Sequence, residues 1–269
     1  MKTFLFTSIV VLYAILFSIS DDCQAQTAFG EVAFNKIKPG MTENYLNDMK
    51  TSKKLNNGLK ANKTINSWQL YRRVYPRGSN MDFDYATLTI FPGSKEMESR
   101  KNWIAYDAPL KQLSAKESID FISSLGNVRT TILTDLYTYT LGVGTASKPG
   151  DFVQLNLLDV NPGSNEEAEK MWALLKPVAE ECIKAGKLSG YHVWKRTYNT
   201  KAGNSSEYTV SFGFSSFEQA LSWVSGKTGL AEEYKRIYPK DDFAAFGAKL
   251  NSLRTMVGQE LWELVDLTD

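Results

Sequence analysis

Trp68-Gln69-Leu70-Tyr71-Arg72-Arg73-Val74-Tyr75 returns 123 positions later as Tyr191-His192-Val193-Trp194-Lys195-Arg196-Thr197-Tyr198. Both stretches are rich in aromatic and β-branched residues, the composition of a strand. Working outward at the same spacing, Pro39-Gly40 falls on Pro162-Gly163, Glu43 on Glu166 and Lys53 on Lys176. Tyr85 falls on Tyr208 and Phe91 on Phe214. Toward the ends the spacing lengthens to 125, where Val128-Arg129-Thr130 meets Leu253-Arg254-Thr255 and Asp135-Leu136-Tyr137 meets Glu260-Leu261-Trp262. Self-similarity at a fixed period is the mark of one structural unit used twice.

The second copy predicts a strand over 153–160, stopped by Asn161-Pro162-Gly163. Ser164 and Glu167 have the spacing of a capping box. Behind them Ala168, Trp172, Leu175, Ala179 and Cys182 step along one apolar helix face, with Gly186 as the stop. Strands over 191–198 and 207–214 follow. Ser215-Ser216 caps a further helix, and Asp241-Asp242 caps one carrying Phe243, Phe246, Leu250 and Leu253. A strand over 261–265 closes the copy. The first copy repeats the order: strand 31–38, helix 42–62, strands 67–76 and 82–91, helices 94–105 and 115–129, strand 131–141. The class is α+β, with a β-α-β-β-α-β unit in each copy, over 27–144 and 150–269. Gly142 to Gly150 has the composition of a linker between them.

One such unit leaves a sheet face bare, and two can hide those faces by packing them together. In strand order and repeat, over nearly all of residues 30–267, the chain resembles the dimeric α/β-barrel superfamily with both halves on one polypeptide. The resemblance implies two antiparallel, ferredoxin-like sheets packed face to face. It also implies a choice among cofactor-independent monooxygenases, isomerases, haem-dependent proteins and binders, and fold alone does not choose.

The chain has 269 residues, 31 basic and 30 acidic side chains and a net charge of +1, which gives no electrostatic ground for a nucleic-acid partner. Lys2, the apolar run from Phe4 to Ile19 and Cys23-Gln24-Ala25 read as a signal peptide over 1–25, cleaved near Ala25 for secretion or export to the periplasm. Lipid anchoring at Cys23 is the weaker alternative, since Ser20-Asp21-Asp22 precedes it. The apolar run is too short for a membrane span. Cleavage leaves Cys182 alone, so no internal disulfide forms. Its place on the apolar stripe of its helix makes it a small buried hydrophobe. With His192 the only histidine, a Cys/His zinc site is out of reach. Asn62-Lys63-Thr64 and Asn204-Ser205-Ser206 match the glycosylation pattern, and no phosphate loop, nucleophile elbow or HExxH occurs.

Alternation sorts each strand into faces. Trp68, Leu70 and Val74 share one with Arg72. Tyr71, Arg73 and Tyr75 share the other with Gln69, matched by His192, Trp194, Arg196 and Tyr198 in the second copy. Tyr137 with Asp135, and Trp262 with Glu260, join this second face. It reads as a ligand pocket with aromatic walls and an Arg for a carboxylate or a ring. The plainer reading pairs Arg73 and Arg196 with Asp135 and Glu260 in a filled interface. His192 is the candidate general base; the resemblance adds the possibility of an axial haem ligand, no other cofactor being implied. The expectation is a binder of a small apolar or aromatic acid, as a monomer or homodimer. A cofactor-independent monooxygenase or isomerase, and a non-catalytic interaction module, are the alternatives.

Overall fold

The structure, a computed structural model, describes residues 27–76, 81–101, 106–111, 113–145, 148–198 and 206–269. The leader expected over 1–25, and Asn204 of the second glycosylation pattern, lie outside the described residues. The strands are β1 (Phe29–Ile37), β2 (Ser67–Tyr75), β3 (Tyr85–Phe91), β4 (Arg129–Gly144), β5 (Phe152–Val160), β6 (Gly190–Tyr198), β7 (Tyr208–Phe214) and β8 (Arg254–Leu267). The helices are α1 (Thr42–Ala61), α2 (Ser94–Lys101), α3 (Asp107–Leu110), α4 (Ala115–Val128), α5 (Asn165–Lys184), α6 (Phe217–Val224), α7 (Leu230–Ile237) and α8 (Phe243–Leu253).

The strands form one closed antiparallel barrel in the order β1-β3-β2-β8-β5-β7-β6-β4. Its closure corrects the expected face-to-face stack of two separate sheets. The long final strands carry the difference. β4 pairs with β1 through Arg129 to Thr138, then runs on to pair with β6 from Leu136 to Gly144. β8 pairs with β5 from Arg254 to Glu263 and then with β2 as far as Leu267. Strand edges that would stand open in each half are thereby satisfied by backbone hydrogen bonds from the other. The expected linker is also corrected at its start, because Gly142-Val143-Gly144 lies in β4 opposite Gly190, Tyr191 and His192.

Three apolar cores follow from the alternation. Trp68, Leu70, Tyr85 and Phe91 point outward and pack with Tyr45, Met49 and Leu59 of α1. Tyr191, Val193, Tyr208 and Val210 point outward to meet Trp172, Leu175, Val178 and Cys182 of α5. Cys182 is fully buried, and burial pushes its thiol up to about 11, so it behaves as a hydrophobe. The third core, with Val32, Tyr71, Phe83, Tyr137, Trp262 and Leu264, lies inside the barrel.

Local chemistry fixes the helix ends. Gly186, at φ 68, supplies the left-handed residue that ends α5. Ser216 Oγ accepts from Gln219 N, and Asp242 Oδ1 accepts from Ala244 N at 2.8 Å, as their positions predict. The capping box expected at Ser164 does not form. Ser164 sits at φ −98, ψ 2, away from the extended backbone a cap requires, and Glu167 instead pairs with Lys249 at 2.8 Å. A capping box forms at Ser114 and Glu117, where the backbone is extended at ψ 156.

Candidate functional site

The barrel encloses a cavity of about 770 Å³ whose lining draws on strands from both halves. Period-two alternation puts Gln69 and Tyr71 of β2, Tyr137 of β4, His192, Trp194 and Arg196 of β6, and Glu260 and Trp262 of β8 on this lining. Val32, Leu88, Val153 and Leu155 supply aliphatic surface between them. The aromatic groups brace one another. Tyr71 and Trp262 lie 5.7 Å apart between ring centroids, and Tyr139 meets Trp194 edge-on at 5.0 Å. Tyr71 Oη donates to Gln69 Oε1 at 2.9 Å, and burial raises the Tyr71 pKa.

Three nominated residues fall elsewhere: Arg73, buried against Phe83 and Glu260, does not line the cavity, and neither do Tyr75 and Tyr198. Tyr75 and Tyr198 end β2 and β6, are 49% and 70% exposed, and do not line the cavity. Tyr75 stacks on Phe217 of α6, with centroids 6.3 Å apart. The alternation rule assigns them inward, but both strands stop there and the ring leaves at the rim.

Both interior arginines carry a carboxylate from the other half. Arg73 Nη1 lies 3.6 Å from Glu260 Oε1, Arg73 Nη2 donates to the Phe83 carbonyl, and the guanidinium covers the Phe83 ring at 3.9 Å. Glu260 also accepts from Trp262 Nε1 at 2.7 Å. Arg196 Nη2 donates to Asp135 Oδ2 and its guanidinium stands 5.6 Å from the Tyr137 ring centroid. The pairing anticipated for a filled interface therefore coexists with an open cavity. Burial raises the pKa of Asp135, which Arg196 opposes; burial likewise raises that of Glu260, opposed by Trp262 and Arg73. Burial pushes the Tyr137 phenol up to about 12.

His192 lies opposite Gly142 in the β4–β6 ladder, with its ring folded over that residue. A Cβ at position 142 would stand 2.3 Å from His192 Nδ1, 2.6 Å from the Tyr191 carbonyl oxygen and 2.7 Å from Tyr139 Oη. Glycine is what admits the imidazole. Burial pulls the His192 pKa from 6.5 down to about 4, so the ring is neutral at pH 7 and a weak base. Among the described residues no group of three or more His, Cys, Asp or Glu forms a metal site. No described helix is long and apolar enough to cross a membrane.

Haem asks for a ligating nitrogen and for cations to hold its carboxylates. The interior supplies one imidazole on the cavity wall, and the one guanidinium on that wall, Arg196, is already matched by Asp135, which leaves no unmatched Lys or Arg among the described lining residues for haem carboxylates. The lining thus offers an imidazole but no free cation, and no step is derived through haem.

No protein-family profile matches this sequence, and no curated protein matches it. Solved structures do. An anthrone oxidase-like protein superposes with a TM-score of 0.52 at 11% identity, covering 91% of this chain and 93% of its own. A proposed monooxygenase from Lactobacillus acidophilus NCFM gives 0.52 at 10% identity, covering 90% and 96%. A heme-binding protein from Thermus thermophilus gives 0.49 at 9% identity, covering 90% and 92%. The fold is that of the dimeric α/β-barrel superfamily, a resemblance at the level of fold.

Proposed function

We propose that this chain is an exported protein that binds a small apolar or aromatic molecule inside its barrel. The observation that carries the reading is the cavity of about 770 Å³, walled by Tyr71, Trp194 and Trp262, a size and chemistry suited to a drug-sized ligand. An interface built only for stability would be filled, as the outward cores are. The sequence repeat and the like order of strands in the two halves support an internal duplication, in which each half lends the other a wall.

Titration of the mature protein with naphthalene, read by tryptophan fluorescence, tests the reading. Saturable quenching that Trp194→Ala weakens is expected, and absence of any saturable signal overturns it. A mature mass beginning at Gln26 is the expected sign of export.

A cofactor-independent monooxygenase or isomerase is the second reading, favoured by the neighbours described as anthrone oxidase-like and monooxygenase. It would use the same cavity, with His192 or a tyrosine moving protons. A His192 pKa near 4 argues for binding ahead of base catalysis, because a base works best with a pKa near the working pH.

A further inference from the structure

The two seam ion pairs turn opposite ends toward the cavity. At the β4–β6 seam the cation stands on the wall: Arg196 lines the cavity, while Asp135 is fully buried and lies off the lining. At the β2–β8 seam the carboxylate stands there instead. Glu260 lines the cavity with its side chain 16% exposed, and the Arg73 side chain, 4% exposed, does not line it. Glu260 Oε2 accepts from Trp262 Nε1 at 2.7 Å. Oε1 has Arg73 Nη1 at 3.6 Å, an ion pair longer than a hydrogen bond. A carboxylate oxygen takes two donors, so Oε1 keeps a place for one that comes from the cavity. The remaining charged groups on the lining offer no equal. Arg196 donates to Asp135, Asp159 Oδ1 accepts from Glu207 N at 3.1 Å, and Asp82 is exposed, where water competes for it.

The surroundings of Glu260 say what kind of donor. The indole that holds Oε2 belongs to an aromatic group: Trp262 lies 5.7 Å from Tyr71, 5.9 Å from Phe83 and 6.0 Å from Phe34 between ring centroids, and all four line the cavity. A flat ring therefore fits beside the carboxylate. An anion here loses its hydration, meets the charge of Glu260 and finds no unmatched Lys or Arg among the described lining residues. A cation at Oε1 settles next to the Arg73 guanidinium, which repels it. An uncharged O–H or N–H meets neither obstacle, and a bond donated to a carboxylate is stronger than one to a neutral acceptor. Resting on the proposed binding function, we infer that Glu260 is the polar anchor of the cavity, holding an uncharged aromatic ligand through a ring-borne O–H or N–H donated to Oε1, in preference to the aromatic acid that the sequence suggests.

The test is a calorimetric titration of the full mature chain at pH 7.5 with three probes on one ring system: 2-naphthol carries the donor, 2-methoxynaphthalene lacks it, and 2-naphthoate is charged. The naphthol is expected to bind about 10-fold more tightly than the methyl ether, and the naphthoate most weakly. Glu260→Gln keeps the shape of the side chain but not its charge, and is expected to weaken the naphthol about 5-fold while leaving the ether unchanged. Because that variant strands Arg73, the paired exchange Arg73→Met/Glu260→Leu, which leaves no buried charge behind, serves as the second arm and should abolish the naphthol's advantage. Equal binding of naphthol and ether by the parent, naphthoate as tight as naphthol, or an advantage that survives the paired exchange overturns the anchor while the cavity reading stands. If none of the three probes binds, the cavity reading fails and takes this one with it.

Discussion

Arg73 on β2 and Arg196 on β6 hold matching places in the repeated sequence, and each reaches across the barrel seam to a carboxylate on a final strand. Their surroundings differ. Arg73 also holds the Phe83 carbonyl and ring, and Glu260 also takes the Trp262 indole. Arg196 and Asp135 have each other, with the Tyr137 hydroxyl 3.4 Å from Asp135 Oδ2 and several valences unused. The same pair of charges is tied to more of its surroundings at one seam than at the other. Arginine paired with carboxylate is therefore no sign of function by itself; what distinguishes the two is the hydrogen-bonding capacity left over.

Removing one partner should separate the two seams most sharply. Arg196→Met strands a fully buried Asp135, and a loss of about 3–5 kcal/mol of stability is expected in urea unfolding. Arg73→Met leaves Glu260 with its indole partner and some contact with water, and a smaller loss of about 1–3 kcal/mol is expected. The contrast breaks if the order reverses. Asp135→Leu/Arg196→Met should recover most of the larger loss, because no charge is then left stranded.

The histidine tests the second half's corner through pH. Folded His192 protonates near pH 4 and the unfolded side chain near 6.5. Between those values the unfolded chain takes up a proton that the folded chain refuses, so stability falls as pH drops through the window and is complete above it. The expected change is about 3 kcal/mol, the free energy of that shift. His192→Gln, which installs the residue type found at the matching position 69, should flatten the urea midpoint between pH 4 and 7. A variant as pH-sensitive as the parent would place the titration elsewhere.

Gly142→Ala sharpens the same comparison at the backbone. Its Cβ would press on Nδ1 of His192 and on the Tyr191 carbonyl oxygen, and the carbonyl cannot turn aside without breaking the β4–β6 ladder. A loss of about 1–3 kcal/mol is expected in thermal unfolding. If His192→Ala in the same chain restores nothing, the clash lies with the backbone and not with the imidazole.

Much of this arrangement was legible in residue order. Alternation separates Trp68 and Leu70 from Gln69 and Tyr71, because a strand has a strict period of two and each face meets a different core. The four-residue and three-residue steps from Ala168 to Cys182 likewise name the buried face of α5. The seams were not legible, since β4·β6 and β2·β8 are joined by backbone groups that every residue carries. Gly142 read as linker for a related reason: its role is the side chain it lacks beneath His192, a contact between strands 50 residues apart in sequence. Ser164 misled because capping depends on backbone angles as well as on side-chain type.

The smallest expected effect comes from the rim. Tyr198 follows Arg196 on the inward phase of β6, so alternation puts it in the cavity, yet it is 70% exposed and lies off the lining. A side chain largely in water contributes little on removal, and Tyr198→Ser should shift stability by less than about 0.5 kcal/mol. It should also leave probe binding as it was, whereas Trp194→Ala, two turns of the pleat deeper, weakens it. Tyr75 is the more demanding control, being 49% exposed but stacked on Phe217. Tyr75→Ser is therefore expected to cost more stability than Tyr198→Ser while changing binding no more. Loss of probe affinity in Tyr198→Ser would mean that the ligand reaches the rim and open water beyond it.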